Sequence, residues 1–311
     1  MTNETWTKKG LIIYPQINKK WMQSHAMIPT ILYLQDNLYR VYFSGRDYHN
    51  RSIIGYAEFE ILNHEINVLS YSDKPVLSIG DRGCFDDNGV TPSSIVVDKE
   101  SVYMFYIGWN SGNSTTRLSL IAGLARSFDK GLTFDRVSKA PLLERTDREP
   151  YSILTAPFVL YSKTKKIYEM WYVSCEGWKN KDLPTYNIKY AYSSDCLNWT
   201  REGKICIDFL NRDETALARP YVLHENNLYK MWFSHKSINQ TYKIGYAESV
   251  DGINWKRINN NELSTGDIDQ WDSDMVEYSC VFNHGDYKFM LYNGNEYGKN
   301  GIGYAVKNNI S

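Results

Sequence analysis

The chain has 311 residues, and its 35 Lys and Arg against 36 Asp and Glu leave a formal net charge of −1. That balance provides no basic surface for duplex DNA or RNA, so nucleic acid is not an expected partner. The sequence has no apolar run long enough to span a membrane, so no membrane span is predicted. It has no signal-peptide pattern, and none of its five cysteines form a C-x-x-C pair. These features predict a cytoplasmic protein with reduced cysteines.

In chain order, one short pattern occurs five times. Each copy begins with an apolar run led by Pro or Ser, and these leading residues are separated by 63, 65, 63 and 59 residues: Pro29, Pro92, Pro157, Pro220 and Ser279. Each run is followed by a segment rich in aromatic residues, at 39–45, 103–109, 168–174, 229–235 and 287–293. Aromatic and β-branched residues favour strands, so each copy predicts two consecutive strands.

A third apolar segment follows each pair, at 53–60, 120–127, 188–194, 244–250 and 302–306. Turns predicted at Asp129, Asp195 and Asp251 lead into a fourth strand. Five units of about 60 residues with four short strands predict an all-β, single-domain, five-bladed β-propeller with four-stranded antiparallel blades over residues 1–311. The approximate blades are 22–75, 85–140, 150–205, 213–262 and 271–306. Because the last unit lacks a fourth strand, residues 5–15 are predicted to close the ring as an N-terminal strand.

In a propeller, the loops before the first strands meet at one mouth of the central channel. Four of these five loops carry acids, and from them we predict Asp87, Asp274 and Glu277 as catalytic residues. A ring of carboxylates suits general acid/base chemistry at an anomeric carbon, where one acid protonates the leaving oxygen and another activates the nucleophile. The alternative is that these acids only shape the loops that lead into the strands.

The ends of the second strands face the same mouth and add further candidates. The predicted substrate-binding residues are His25, Arg46, Asp47, Trp109, Glu149, Glu176, Glu214, Arg219, His235, Lys236, Tyr278 and Asn293. Arg and Lys are the donors that suit phosphate or carboxylate groups, unless they brace neighbouring acids. A lone His such as His25 is more often structural than catalytic. No Cys/His cluster has metal-ligand spacing, so neither a metal nor another cofactor is expected.

The stretch Ile244–Trp255, which reads I-G-Y-A-E-S-V-D-G-I-N-W, resembles the five-bladed propeller glycosidases of glycoside hydrolase families 43, 32 and 130. Residues 271–278 and 290–298 resemble a family-32-like subgroup found with bacterial surface-polysaccharide genes. The resemblance implies an Asp just before the first-blade Pro, an Asp at the second-blade entry and a Glu just before the third-blade Pro. Asp87 or Asp86 matches the second of these, whereas Ile28 and Ala156 stand at the first and the third.

These observations predict a carbohydrate-active enzyme that acts at an anomeric centre on a saccharide or an activated phosphosugar. Two reactions compete, namely glycoside hydrolysis and glycosyl or phosphosugar transfer in bacterial polysaccharide biosynthesis. The alternative to an enzyme is a binding protein, namely a non-catalytic propeller that binds glycans. A deep mouth lined by carboxylates favours an enzyme, whereas a shallow aromatic face favours a binding module. The sequence predicts no oligomeric state.

Overall fold

The first and last strands of the chain lie side by side. The structure, a computed structural model, describes residues 5–308, and in it β1 (Thr7–Ile13) pairs antiparallel with β20 (Ile302–Asn308). This pair belongs to a four-stranded sheet whose other members are the two strands before β20. Ile13, at the end of β1, is fully buried. The segment predicted as an N-terminal strand therefore completes the last sheet of the chain.

Throughout the described residues the strands pair in consecutive antiparallel groups of four. The groups are β2 (Ser24–Gln35), β3 (Leu38–Arg46), β4 (Ser52–Leu62) and β5 (Glu65–Tyr71); β6 (Gly89–Asp98), β7 (Ser101–Ser111), β8 (Leu118–Ser127) and β9 (Asp135–Arg136); β10 (Ile153–Ser162), β11 (Ile167–Asn180), β12 (Leu183–Ser193) and β13 (Thr200–Ile207); β14 (Glu214–Glu225), β15 (Leu228–Ser237), β16 (Gln240–Ser249) and β17 (Lys256–Asn259); and β18 (Glu277–His284), β19 (Tyr287–Asn293), β20 and β1. The all-β prediction is confirmed.

The third strand of three groups ends in the same kind of turn. Asp129, Asp195 and Asp251 each accept a hydrogen bond from a Ser hydroxyl two residues earlier and from backbone N–H groups that follow. An Asp side chain stabilises a tight turn in this way by replacing a backbone partner. The chain then continues into the short fourth strands β9, β13 and β17.

The first strands of the five groups contact one another from group to group. Strand β2 contacts β6, β6 contacts β10, β10 contacts β14, β14 contacts β18, and β18 contacts β2. Apolar cores lie between neighbouring groups, as where Tyr42 of β3 and Met104 of β7 belong to one buried cluster. In the described part of the chain the one helix is the short turn α1 (Asn295–Gly298), and no helix there is long and apolar enough to cross a membrane.

Candidate functional site

A backbone irregularity recurs in four of the five central strands. The residue before Pro29, Pro157, Pro220 or Ser279 has a positive φ, of 57° at Ile28, 47° at Ala156, 49° at Arg219 and 55° at Tyr278. The strand pairing shifts register at each position. Left-handed backbone is uncommon outside glycine, and bulges of this kind re-aim side chains beside functional sites. All four residues line one cavity.

This central cavity has a volume of about 290 Å³. Its wall combines aliphatic, aromatic and cationic side chains. The aromatic side chains are Trp109, Trp178, Tyr186, Tyr242, Tyr278 and Tyr297, and the cations are Arg46, Arg117, Arg219 and Lys236. Among the described lining residues Asp182 is the one acid, and it is exposed. The cavity is therefore aromatic and positively charged, and the ring of carboxylates expected at this mouth does not line it.

Arg219 lines this wall and is 1% exposed. Its Nη2 donates to the Pro29 carbonyl oxygen and to Thr30 Oγ1, both at 2.9 Å. Its Nε and Nη1 have no hydrogen-bond partner among residues 5–308. Burial lowers the pKa of the guanidinium to about 10, which leaves it charged at neutral pH.

Glu277 begins β18 and is fully buried; within the described residues its carboxyl oxygens make no hydrogen bond of normal geometry, and the Tyr278 hydroxyl lies close to them. Burial raises its pKa well above the ordinary value, an effect that Lys236 and Tyr278 only partly offset. Burial raises the pKa values of the lining residues Tyr186, Tyr242 and Tyr297, and ionisation of Glu277 would raise them further, because its carboxyl is near them. Glu277 thus lies behind the tyrosines of the cavity wall and keeps its proton to a higher pH than an exposed Glu does.

The pH dependence of the free energy of unfolding should show whether Glu277 keeps its proton in the folded protein. An unfolded chain ionises Glu277 near pH 4.5, whereas the folded chain keeps it neutral to higher pH. The folded state then binds more protons, so the free energy of unfolding falls as pH rises through this window, by up to about 1.4 kcal/mol per pH unit. Glu277→Gln cannot ionise and is expected to remove that fall. Urea unfolding of both proteins from about pH 5 to 8 checks this, and parallel pH curves would show that folded Glu277 is ionised.

The other two predicted catalytic acids lie away from the central cavity. Asp87 accepts hydrogen bonds from the Gly83 backbone N–H at 2.8 Å and Asn110 Nδ2 at 2.9 Å. Asp274 is exposed and lines a separate surface depression beside Asn295. The expectation that Asp87, Asp274 and Glu277 line one pocket is therefore corrected. Asp87 holds its own loop together, Asp274 faces outward, and Glu277 alone adjoins the cavity wall.

Four other acids before first strands are buried and internally paired. Each contacts a side chain on the second strand of its group and a cation on the fourth. The sets are Asp86 with Tyr106 and Arg136, Glu149 with Tyr172 and Arg201, Glu214 with His235 and Arg257, and Asp272 with Tyr292 and Lys8. In the first three sets the cation lies on β9, β13 or β17, and in the last set Lys8 of β1 takes the equivalent place. We call these sets the carboxylate clusters.

Of the predicted substrate-binding residues, the structure brings five together in the cavity wall and places seven elsewhere. Those in the wall are Arg46, Trp109, Arg219, Lys236 and Tyr278. Those outside its lining are His25, Asp47, Glu149, Glu176, Glu214, His235 and Asn293.

The residues outside the wall have internal partners. Glu149, Glu214 and His235 belong to the carboxylate clusters, Glu176 pairs with Lys189 at 2.8 Å, and Asp47 pairs with Arg51 at 2.7 Å. These polar groups therefore hold the fold together.

Asn293 and His25 lie next to the first-strand bulge. Asn293 is fully buried, accepts a hydrogen bond from the Ile28 backbone N–H at 2.8 Å and donates to the Ala26 carbonyl oxygen at 2.7 Å. It thereby positions Ile28 in the cavity wall. His25 is hydrogen-bonded to Ser24, and burial, with help from Arg46, lowers its pKa to about 4, so it is neutral at pH 7.

The sequence analysis missed three lining residues that share one feature. Tyr186 and Tyr242 lie near the starts of the third strands β12 and β16, and Arg117 directly precedes the third strand β8. In an antiparallel pair, the start of the third strand lies beside the end of the second. The same rule that selected the second-strand ends would therefore have found these residues.

Within residues 5–308, no three His, Cys, Asp or Glu side chains come together in a way that could hold a metal ion. The arrangement at the cavity can bind an anion with its cations, stack a sugar ring on its aromatic walls and hold a proton at Glu277.

Comparison with known proteins bears on the family and the fold. No protein-family model matches the chain. The uncharacterized protein Rv1502 of Mycobacterium tuberculosis (strain ATCC 25618 / H37Rv) is 37% identical over 305 residues, covering 98% of this chain and 99% of that protein. This chain belongs to the Rv1502 family.

Solved structures similar to this member of the Rv1502 family include glycoside hydrolases. One described as a glycoside hydrolase aligns with a TM-score of 0.72 at 18% identity, over 97% of this chain and 92% of that chain. A thermostable family-43 glycoside hydrolase aligns with a TM-score of 0.63 at 18% identity, over 92% of this chain and 88% of that chain. The resemblance to propeller glycoside hydrolases is thereby confirmed for the fold. At 18% sequence identity, structural similarity does not indicate which reaction the chain catalyses.

Proposed function

We propose that this chain is a glycoside hydrolase-like carbohydrate-active enzyme that acts at an anomeric centre in the central cavity. The observation that carries the proposal is Glu277, a fully buried carboxyl beside the cavity wall whose pKa burial raises well above its ordinary value. Chemistry at an anomeric carbon needs a carboxylic acid that is still protonated at neutral pH, and burial is the means by which proteins keep one. Aromatic rings supply flat, largely apolar surfaces against which a sugar ring can pack.

We propose that the proton reaches the leaving oxygen of the substrate through Tyr278. Glu277 holds it, and Tyr278, which lines the cavity and interacts with Glu277, passes its hydroxyl proton to the leaving oxygen while it takes the proton of Glu277. After this transfer the leaving oxygen is protonated and Tyr278 is neutral. The negative charge lies on Glu277, where the positive charge of Lys236 stabilises it. A general acid that acts through one intervening hydroxyl is within the reach that proton transfer allows.

We further infer the architecture that places this cavity at the centre. The five strand groups are the five blades of a propeller, and β1 serves as the fourth strand of the fifth blade. Two observations support this: β18 contacts β2, and Lys8 of β1 occupies the cationic place in its carboxylate cluster that fourth strands supply elsewhere. Closing the ring in this way covers two sheet edges.

Transfer from an activated phosphosugar is the second candidate reaction. It is favoured by the composition of the cavity wall, where cations outnumber acids. Hydrolysis in most glycosidases uses two carboxyl groups that flank the bond, and the described wall has only the exposed Asp182 besides the buried Glu277 behind it. A phosphate leaving group needs positive charge more than it needs a second acid.

Turnover assays test the proposed function. The protein is incubated with neutral aryl glycosides and with sugar 1-phosphates, and released reducing sugar and released phosphate are measured separately. Glu277→Gln is expected to slow turnover by about 10²-fold or more, because Gln keeps the shape of Glu and carries no transferable proton. Asp87→Asn and Asp274→Asn, which change acids outside the cavity, serve as matched controls and should retain turnover.

The outcomes separate the alternatives. Release of reducing sugar without phosphate supports hydrolysis, and release of phosphate coupled to sugar transfer supports the second candidate. Loss of turnover in Asp274→Asn with normal turnover in Glu277→Gln would show that Asp274, an exposed acid outside the cavity, is needed for catalysis and that Glu277 is not. Sugar binding without turnover by the unaltered protein would identify a glycan-binding module.

A further inference from the structure

Buried cations elsewhere in this chain have carboxylate partners. Four Lys or Arg residues are buried among residues 5–308, namely Arg40, Lys189, Arg219 and Lys288. Arg40 pairs with Glu58 at 2.6 Å, Lys189 with Glu176 at 2.8 Å and Lys288 with Glu225 at 2.8 Å. Arg219, the most deeply buried of the four, makes no such pair in the described chain and leaves Nε and Nη1 without an acceptor.

Such a group is unusual because buried donors in folded proteins nearly always have acceptors. Nε carries one hydrogen and Nη1 carries two, so the guanidinium still offers about three N–H donors. Arg219 lines the central cavity, and its backbone adopts the left-handed bulge that turns residues into that space. The missing acceptors are therefore to be supplied from inside the cavity.

Three further cations share this wall, and none is neutralised by an ion pair within the described residues. Arg46 donates to the Asn50 side-chain oxygen at 3.1 Å, and Lys236 lies over the Tyr242 ring at 5.1 Å. Burial lowers the pKa of Lys236, and the nearby charge of Arg117 adds to this lowering while Glu277 opposes it. Like charges gathered without a counter-ion favour the binding of an anion.

The acids of the protein cannot act as that counter-ion. The carboxylate clusters are engaged with their own cations, and Asp182 at the cavity is exposed. Glu277 lies nearest, but its oxygens accept no hydrogen bond from Lys236 or Arg219. An anion bound here must come from a ligand.

We propose that the inner wall of the central cavity is a subsite for the phosphate group of a sugar phosphate, with Arg219 as its principal ligand and Arg46, Arg117 and Lys236 around it. This inference rests on the proposed carbohydrate function, which it deepens by naming the substrate class. Phosphate matches four cations better than a carboxylate does, because it carries more charge and more acceptor oxygens. At about 290 Å³ the cavity is at the small end of ligand pockets, which suits a single sugar unit with its phosphate.

Calorimetry on the full chain tests the subsite with inorganic phosphate, glucose 1-phosphate, glucose and glucuronate as probes. Phosphate and glucose 1-phosphate should bind saturably and at least about tenfold more tightly than glucose, and raised salt should weaken both. Arg219→Lys should lose about tenfold or more in phosphate affinity, because an ammonium cannot reproduce the fixed guanidinium geometry. Lys236→Met, at a site outside the buried core, should also weaken phosphate binding and serves as a second variant if Arg219→Lys fails to fold.

Arg136→Lys is the matched control, because Arg136 pairs with Asp86 and does not line the cavity. It should leave phosphate affinity unchanged. Equal affinity for glucose 1-phosphate and glucose, or unchanged phosphate binding in both cavity variants, would overturn the subsite. Tighter binding of glucuronate than of phosphate would overturn the assignment to phosphate. Phosphate binding without any turnover would support the subsite and contradict the proposal that the protein is an enzyme. Turnover of neutral glycosides without anion binding would support the enzyme and contradict the subsite.

Discussion

A chain that lacks residues 1–15 is expected to fail to fold and to aggregate. The deletion removes β1, which leaves the edge of β20 unpaired and exposes the core that Ile13 helps to fill. It also removes Lys8, whose Nζ lies 2.6 Å from the buried carboxylate of Asp272. An uncovered sheet edge and an uncompensated buried charge each promote misfolding.

Circular dichroism, size-exclusion chromatography and thermal melting measure this effect. The control is a deletion of residues 1–4, which leaves β1 complete and should fold as the full chain does. Unchanged melting of the longer deletion would overturn both the ring closure and the role inferred for β1 in the fifth blade.

Glu149→Gln is expected to lower the free energy of unfolding by about 3–5 kcal/mol, the usual cost of removing one partner of a buried ion pair. Glu149 is 2% exposed and accepts hydrogen bonds from the Tyr172 hydroxyl at 2.9 Å and from Arg201 Nη1 at 2.8 Å. Gln retains the shape but leaves the Arg201 charge without its counter-ion in the carboxylate cluster. Equilibrium urea unfolding gives the value.

The exposed Glu144, in the same loop, supplies the control. Glu144→Gln makes the same chemical change at the surface and should alter stability by no more than about 0.5 kcal/mol. If Glu149→Gln kept full stability and lost sugar binding, Glu149 would be a ligand-binding residue, as its position in the sequence predicted.

The carboxylate clusters also explain a pattern that is visible in the sequence. The second strands of three units carry Tyr at the position that reaches the acid, namely Tyr106, Tyr172 and Tyr292. The fourth unit has Phe233 there, and His235 two residues later contacts the acid instead. The first unit has Phe43 at this position and no acid before its first strand. A buried acid therefore occurs together with a polar side chain on the second strand, because each satisfies the other's hydrogen-bonding group.

Strand identity could be predicted from the sequence because it depends on local chemistry. Aromatic and β-branched runs favour extended backbone wherever they occur, and the predicted segment 39–45 lies within β3 as 287–293 coincides with β19. The turns at Asp129, Asp195 and Asp251 have the same local origin, since the side chain that stabilises each turn belongs to the turn itself. The repeat spacing then determines the number and order of the strand groups.

The site could not be predicted in this way, because it depends on which side of each loop faces the channel. Asp86 and Asp87 are adjacent, yet Asp86 is buried against Tyr106 and Asp87 bonds within its own loop. The left-handed bulge at Arg219 turns that side chain into the cavity, although a residue before a Pro ordinarily favours extended backbone. The strands, turns and repeat are therefore predictable from the amino-acid sequence, because their causes lie within a few residues. Which charges are paired and which face the cavity depends on the folded structure, because residues far apart in the chain set burial and pairing.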